Sequence, residues 1–257
     1  MAPPTPYTPP WWSQLRPQLE PDRTPRVRLL VVPHSGGGPN RYLRLVGGLP
    51  ADVEVLGLTL PGRERRLTEP PGATLEEVIA NLGTTALPTV VFGHSLGATL
   101  GLHLAHALGE HCLGLVASGQ VPRGRGGRLS EQSSDEDIRL LLELGGDLPP
   151  EVFKDEAWRT ALLSNMREDL KLGAEAAERG AELRIDAPIT VLCGSEDRLV
   201  DSAALAGWGA HSTAGCEVQV FPGGHFALFD PVNRPRFVKA IEDLLATAPT
   251  LVNTRRT

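Results

Sequence analysis

The sequence has little of what would tie a chain to an oxidising compartment, a membrane or a nucleic acid. Its three cysteines, Cys112, Cys193 and Cys216, cannot all pair and show no metal-ligand spacing. They offer neither a disulfide framework nor a metal site, and a reducing cytoplasm is the expected setting. No apolar run approaches the roughly 20 residues of a membrane-spanning helix. Basic residues are outnumbered, 25 to 31, and the net charge of -6 argues against nucleic acid as the main partner. The opening stretch, Met1 to Pro10, is proline-rich and uncharged, without the basic-then-apolar order of a secretory signal. There is no internal repeat. A length of 257 residues fits one or two domains and suffices to bury a core and wall a pocket.

What is present is an alternation of strands and helices. A continuous apolar run predicts a buried strand at Val27 to Val32, and further strands are expected at Val53 to Leu58, Val90 to Phe92, Leu113 to Ser118, Ile189 to Cys193 and Val218 to Phe221. Helical periodicity predicts helices at Asn40 to Leu49, Leu75 to Leu82, Leu96 to Leu108, Asp201 to Ala210 and Pro231 to Ala246. Apolar strands covered on both faces imply a mainly parallel sheet in an α/β fold, with its chemistry on the loops after the strand C-termini. Residues 1–25 read as a loose arm, with Trp11 and Trp12 as anchors. Residues 26–246 read as the main domain, and 247–257 as a flexible tail. One segment, about 123–185, breaks the rhythm. It opens on a Gly/Arg loop, carries cap signals at Ser130-Glu131 and Ser134-Asp135, and predicts helices at Ile138 to Leu144, Glu151 to Leu163 and Met166 to Ala177. It reads as a helical lid, with Gly124 to Gly127 and Gly145-Gly146 as candidate hinges.

The most informative run is Thr89-Val90-Val91-Phe92-Gly93-His94-Ser95-Leu96-Gly97-Ala98. An apolar strand, then Gly-x-Ser-x-Gly, then a helix start is the pattern of the nucleophile elbow of α/β hydrolases. The helix beginning at Leu96 aims free N–H groups at the reaction site. A serine hydroxyl needs a base within reach. Gly194-Ser195-Glu196-Asp197 and Phe221-Pro222-Gly223-Gly224-His225-Phe226 each follow a predicted strand. The chain order Ser95, Asp197, His225 is the order this fold uses. His225 is then the base, and Asp197 the acid that fixes its tautomer. Asp197 as a helix cap, with Glu196 or Asp201 as the acid, is the alternative. Pro33-His34-Ser35-Gly36-Gly37-Gly38 follows the first predicted strand as an oxyanion loop. No Lys-Ser or Lys-Thr follows these glycines, which disfavours a nucleotide loop. The backbone N–H groups of Ser35 and Leu96 are the expected donors, with Gly36 as the fallback. His34 is expected to brace the loop, and Cys193 to be a packed thiol.

Beyond the generic hydrolase pattern, the chain resembles the type II thioesterases that accompany modular polyketide and non-ribosomal peptide synthetases. The resemblance runs from about Trp11 to Leu245 and rests most on Leu60-Pro61-Gly62-Arg63-Glu64-Arg65 and Phe221-Pro222-Gly223-Gly224-His225-Phe226, beside the oxyanion, elbow and Asp197 motifs. It implies a discrete editing enzyme used in antibiotic biosynthesis. Such an enzyme removes aberrant or stalled acyl groups from the phosphopantetheine thiol of acyl or peptidyl carrier proteins through an acyl-enzyme. It implies Ser95, Asp197 and His225 as the triad and Ser35 and Leu96 as the oxyanion amides. No metal or organic cofactor is implied, since the pantetheine arm belongs to the carrier. Family members often have Ala at the position of Ser35 and Met at that of Leu96, and backbone donors survive both changes. Arg167-Glu168-Asp169-Leu170 lacks the aromatic residue of the family's Arg-x-Asp-aromatic run. A cytoplasmic monomer is expected, with a carrier protein as partner and neither nucleic acid nor membrane. Two arginine clusters, Arg63/Arg65/Arg66 and Arg123/Arg125/Arg128, are either solvated loop charge, with Arg63 paired to a nearby carboxylate, or a docking patch for an acidic carrier. A small-molecule carboxylesterase or an acyltransferase with the same triad, and a non-catalytic binding protein on this fold, are the competing readings.

Overall fold

The structure, a computed structural model, describes residues 10–16, 24–83, 86–122, 132–145 and 154–248. Seven strands form one sheet: β1 Trp12–Gln14, β2 Val27–Val32, β3 Val53–Leu58, β4 Thr89–His94, β5 Cys112–Ser118, β6 Ile189–Gly194 and β7 Cys216–Phe221. Their order is β1-β3-β2-β4-β5-β6-β7. β1 runs antiparallel to β3 and all other pairings are parallel. The central strands β4 and β5 are mostly apolar and almost wholly buried because both faces are covered. Successive side chains of β4 point to opposite faces. Val91 joins Leu30, Leu100, Leu104 and Leu115 in one core layer. Val90 and Phe92 join Leu29, Val31, Phe237 and Ile241 in the other.

Six α-helices among the described residues accompany the sheet: α1 Leu43–Val46, α2 Leu75–Ala80, α3 Leu96–Leu108, α4 Asp135–Gly145, α5 Glu156–Arg179 and α6 Arg234–Leu245. α2 starts at a reciprocal cap, where Thr74 Oγ1 accepts the Glu77 N–H and the Glu77 carboxylate accepts that of Thr74. Ser134 and Asp137 make the same exchange ahead of α4. No helix among the described residues is long and apolar enough to cross a membrane.

Four elements differ from expectation. Trp12–Gln14 lies in the stretch read as a loose arm but pairs as an edge strand with Leu56, Gly57 and Leu58. The helix expected from Asn40 is a 3-10 turn, Pro39–Tyr42, followed by one turn of α1, and Gly47-Gly48 stops it. The segment expected as a helix from Asp201 is 3-10 throughout Ser202–His211, where Gly207 and Gly209 weaken α-helical bonding. The two helices expected on either side of Ser164-Asn165 are the single helix α5. Asn165 Nδ2 donates to Ala161 O within the helix and to Gly62 O outside it, so the polar pair marks a tertiary contact and not a break. Ser130-Glu131, Arg123, Arg125, Arg128, the Gly124 to Gly127 hinge and Gly146 lie outside the described residues.

Candidate active site

The elbow is built from local sterics. Ser95 sits at φ 54°, ψ -121°, a conformation a side chain adopts only under constraint. Its N–H donates to Ser118 O at 2.8 Å, and its carbonyl accepts the Ala98 N–H at 2.9 Å. A Cβ on Gly93 would lie 2.0 Å from Gly97 O, and one on Gly97 would lie 2.0 Å from Val32 O. Strand, turn and helix therefore close only with glycine at both positions. The Ser95 side chain does not cap α3.

The loops after β6 and β7 meet beside it. Ser195 N–H donates to Phe221 O and Glu196 N–H to Gly223 O, tying the two loops together. His225 Nδ1 and Asp197 Oδ2 are 2.8 Å apart, and both side chains are buried. The other Asp197 oxygen accepts the Leu199 N–H at 2.9 Å. Asp201 instead caps the 3-10 helix, accepting the Ala203 N–H, so it is Asp197 that meets the imidazole. With Nδ1 paired to the carboxylate, Nε2 is the ring nitrogen left for proton transfer. Gly119 links this pair to the elbow. It follows Ser118, whose carbonyl holds the Ser95 N–H, and a Cβ on it would lie 3.1 Å from His225 Cε1 and 2.7 Å from His94 Cε1. The sequence reading did not single out Gly119. Its signal is a glycine at the C-terminal end of a central strand.

Two further histidines pack around His225. His94 lies 4.8 Å from it, centroid to centroid, and His34 lies 5.8 Å from His94. His34 Nδ1 meets Tyr42 Oη at 2.8 Å, which fixes the oxyanion loop as expected. Burial, reinforced by Arg41 and His225, pushes His34 down to about 3. Burial likewise drives His94 well below the usual histidine range, with His225 next in effect. His94 Nδ1 pairs with Ser118 Oγ at 3.0 Å, while its Nε2 has no partner among the described residues. Both rings are neutral at physiological pH. Cys193 is buried and donates to its neighbouring Gly194 O, and burial pushes its thiol up to about 12, as a packed thiol requires.

The oxyanion loop is clasped from above by α5. Gly36 N–H donates to Asp169 Oδ2 at 2.6 Å, which removes the fallback donor. No hydrogen bond among the described residues takes the N–H of Ser35 or of Leu96. Arg63 donates to both Asp169 oxygens at 2.8 Å and to Asn165 Oδ1 at 3.3 Å. The pair is buried, at 7% and 2% side-chain exposure. Arg66 pairs with Glu69 at 2.6 Å and lies 4.3 Å over the Trp11 ring. Arg65 bonds Thr59 and Ser13. Arg63 is thus paired to a carboxylate, as one of the two readings expected, and Arg65 and Arg66 are engaged within the chain rather than left as solvated loop charge.

Comparison with known proteins agrees with this geometry. The thioesterase domain family profile matches residues 27–245. The chain is 32% identical over 213 residues to the AMB antimetabolite synthetase AmbE of Pseudomonas aeruginosa, covering 78% of this chain and 10% of that protein. It is 32% identical over 231 residues to a probable cadicidin biosynthesis thioesterase of Streptomyces griseus, covering 84% and 63%. It thus spans a tenth and less than two thirds of these two relatives. The solved structure of the type II thioesterase BorB, from the borrelidin biosynthetic cluster, superposes with a TM-score of 0.75 at 29% identity, over 94% of this chain and 100% of that one. The family match takes in every strand from β2 to β7, and the chain belongs to the thioesterase family, on an α/β-hydrolase fold.

Proposed function

We propose that this protein is a type II, editing thioesterase that hydrolyses aberrant or stalled acyl groups from the phosphopantetheine arm of acyl or peptidyl carrier proteins. The observation that carries the reading is the buried 2.8 Å His225–Asp197 pair beside the strained serine elbow, in a chain of the thioesterase family. Ser95 Oγ gives its proton to His225 Nε2 as it bonds the thioester carbonyl carbon. The oxygen gains negative charge and receives the N–H groups of Ser35 and Leu96. Collapse breaks the C–S bond, and the pantetheine sulfur takes the proton from His225. Water then gives a proton to His225 as it attacks the acyl-enzyme. The acid departs, and Ser95 recovers its proton. Asp197 holds the imidazole and offsets its charge.

The proposed setting is the cytoplasm, where Cys112, Cys193 and Cys216 stay free, and the proposed working form is a monomer. The test is a matched comparison of one acyl group on a carrier protein, on free pantetheine and on an oxygen ester. The carrier thioester is expected to react fastest, and Ser95→Ala to remove nearly all turnover. Preference for the oxygen ester assigns the site to a carboxylesterase, and transfer to a second thiol or alcohol in place of water assigns it to an acyltransferase. Failure of a fluorophosphonate to label Ser95 leaves only a binding role.

A further inference from the structure

Two adjacent amides, those of Ser35 and Gly36, lie in the loop expected to supply an oxyanion donor. Gly36 holds φ +74°, and its N–H is directed 2.6 Å onto a carboxylate carried by a helix 133 residues further along the chain. That carboxylate is 2% exposed. An unpaired anion at this place opposes the negative charge that builds on the substrate oxygen. Here it is neutralised by the bidentate Arg63, which also donates, at 3.4 Å, to Gly37 O in the same loop. Met166, three residues before Asp169 on α5, lies 3.0 Å from where a Gly36 Cβ would sit.

From this we infer that Asp169 is a positioning residue of the oxyanion hole. By taking the Gly36 N–H it orients the loop so that the Ser35 N–H is the donor on that side. Arg63 keeps the carboxylate from opposing the reaction. The helix that roofs the site thus also sets the geometry of its electrophilic half, and its clasp on the loop is part of the chemistry. This rests on the reading of Ser95 as nucleophile, and it reaches the reacting atoms only through Ser35 and Gly36.

The experiment compares Asp169→Leu, Asp169→Asn and Arg63→Gln. It reads kcat and KM on an acyl pantetheine thioester and the rate of Ser95 labelling by a fluorophosphonate, whose phosphoryl oxygen uses the same donors. All three variants break the ion pair, so a purely structural role predicts equal losses. Asn retains an oxygen that accepts the Gly36 N–H, and Leu does not. Asp169→Leu is expected to lose about ten- to a hundredfold in kcat and in labelling rate, with KM within about threefold of the parent. Asp169→Asn is expected to recover most of that loss. Equal losses in Asn and Leu, or a Leu variant with parental kcat, overturn the inference. If Leu fails to fold, Arg63→Gln against Asp169→Asn decides. The first leaves a bare carboxylate at the loop and is expected to be several-fold slower in kcat per folded molecule, and equal rates overturn the inference. If the parent labels at Ser95 but hydrolyses no thioester, the functional reading fails, while the labelling rates still judge Asp169.

Discussion

In the proposed mechanism His225 offers one nitrogen to the reaction because Asp197 holds the other at 2.8 Å. In Asp197→Asn the side chain presents an amide, which pairs best with an unprotonated Nδ1. The ring then carries its proton on Nε2 and cannot accept one from Ser95. The expected result is a fall in kcat of about 10^4-fold with little change in KM and an unchanged melting temperature, read by steady-state kinetics and calorimetry. A loss below about tenfold would show that the pair does not set the tautomer. Gly97 makes a different kind of demand. Its missing Cβ would stand 2.0 Å from the Val32 carbonyl, which is backbone and cannot rotate away. Gly97→Ala is expected to destabilise the chain by about 1–3 kcal/mol and to displace Leu96 N–H, so melting temperature and kcat fall together. These residues were legible from the sequence because the elbow is a local pattern of five positions and its partners follow predicted strands. That Arg63 pairs with a carboxylate was legible, but that the partner is Asp169 and that the pair is buried was not. They are 106 positions apart, and nothing in either neighbourhood says that helix and loop meet.

At the scale of elements, strands β4, β5 and β6 announce themselves through apolar runs, the consequence of burial on both faces, while the edge strand β7 alternates and is largely exposed. β1 has three residues, too few for any period to show. Its assignment comes entirely from tertiary contact. Its pairing with β3 brings Leu15 into the core at 6% exposure, lays Trp11 under Arg66, and lets Arg16 bond Val53 O and the carbonyls of Leu49 and Pro50. Its removal bares the β3 edge and the Arg66 guanidinium. Burial of Leu15 alone is worth about 1.5–3 kcal/mol. At about 2–4 °C per kcal/mol for a chain of this size, deletion of residues 1–16 is expected to lower the melting temperature by about 5 °C or more, with aggregation on heating from the bared edge. A truncated chain that melts with the parent would show that this strand adds nothing to stability. The same logic explains α5. Its polar Ser164-Asn165 step looks like an interruption until Gly62 is found opposite it.

For the molecule as a whole, the net charge of -6 sets a condition on any acidic partner. With Arg63, Arg65 and Arg66 engaged inside the chain, the proposed carrier contact falls to Arg123, Arg125 and Arg128. Charge reversal there is expected to slow hydrolysis of carrier-bound acyl groups while sparing acyl pantetheine, and equal loss on both rejects the role. The larger whole-molecule consequence concerns acid. His34 and His94 are buried and neutral, the first pushed down to about 3 and the second well below the usual range. In the unfolded chain each titrates near 6.5. Below that value the unfolded chain binds protons that the folded chain refuses, so stability is full above about pH 6.5 and is lost as pH falls toward the folded values. His34, pushed down to about 3, removes up to about 1.4 kcal/mol per pH unit in that window, and His94 acts in the same direction. Urea unfolding at pH 7.5, 6.5, 5.5 and 4.5 is expected to show this slope. His94→Asn is expected to start lower at pH 7.5, through its lost ring contacts, yet to decline less steeply as pH falls. Parallel slopes in parent and variant would mean that His94 takes up its proton within the fold. Because the His94 ring lies 4.8 Å from that of His225, the same experiment bears on activity. The acid limb of the rate profile should follow the folded fraction, and enzyme returned from pH 5 to pH 7.5 should regain turnover at the rate at which it refolds.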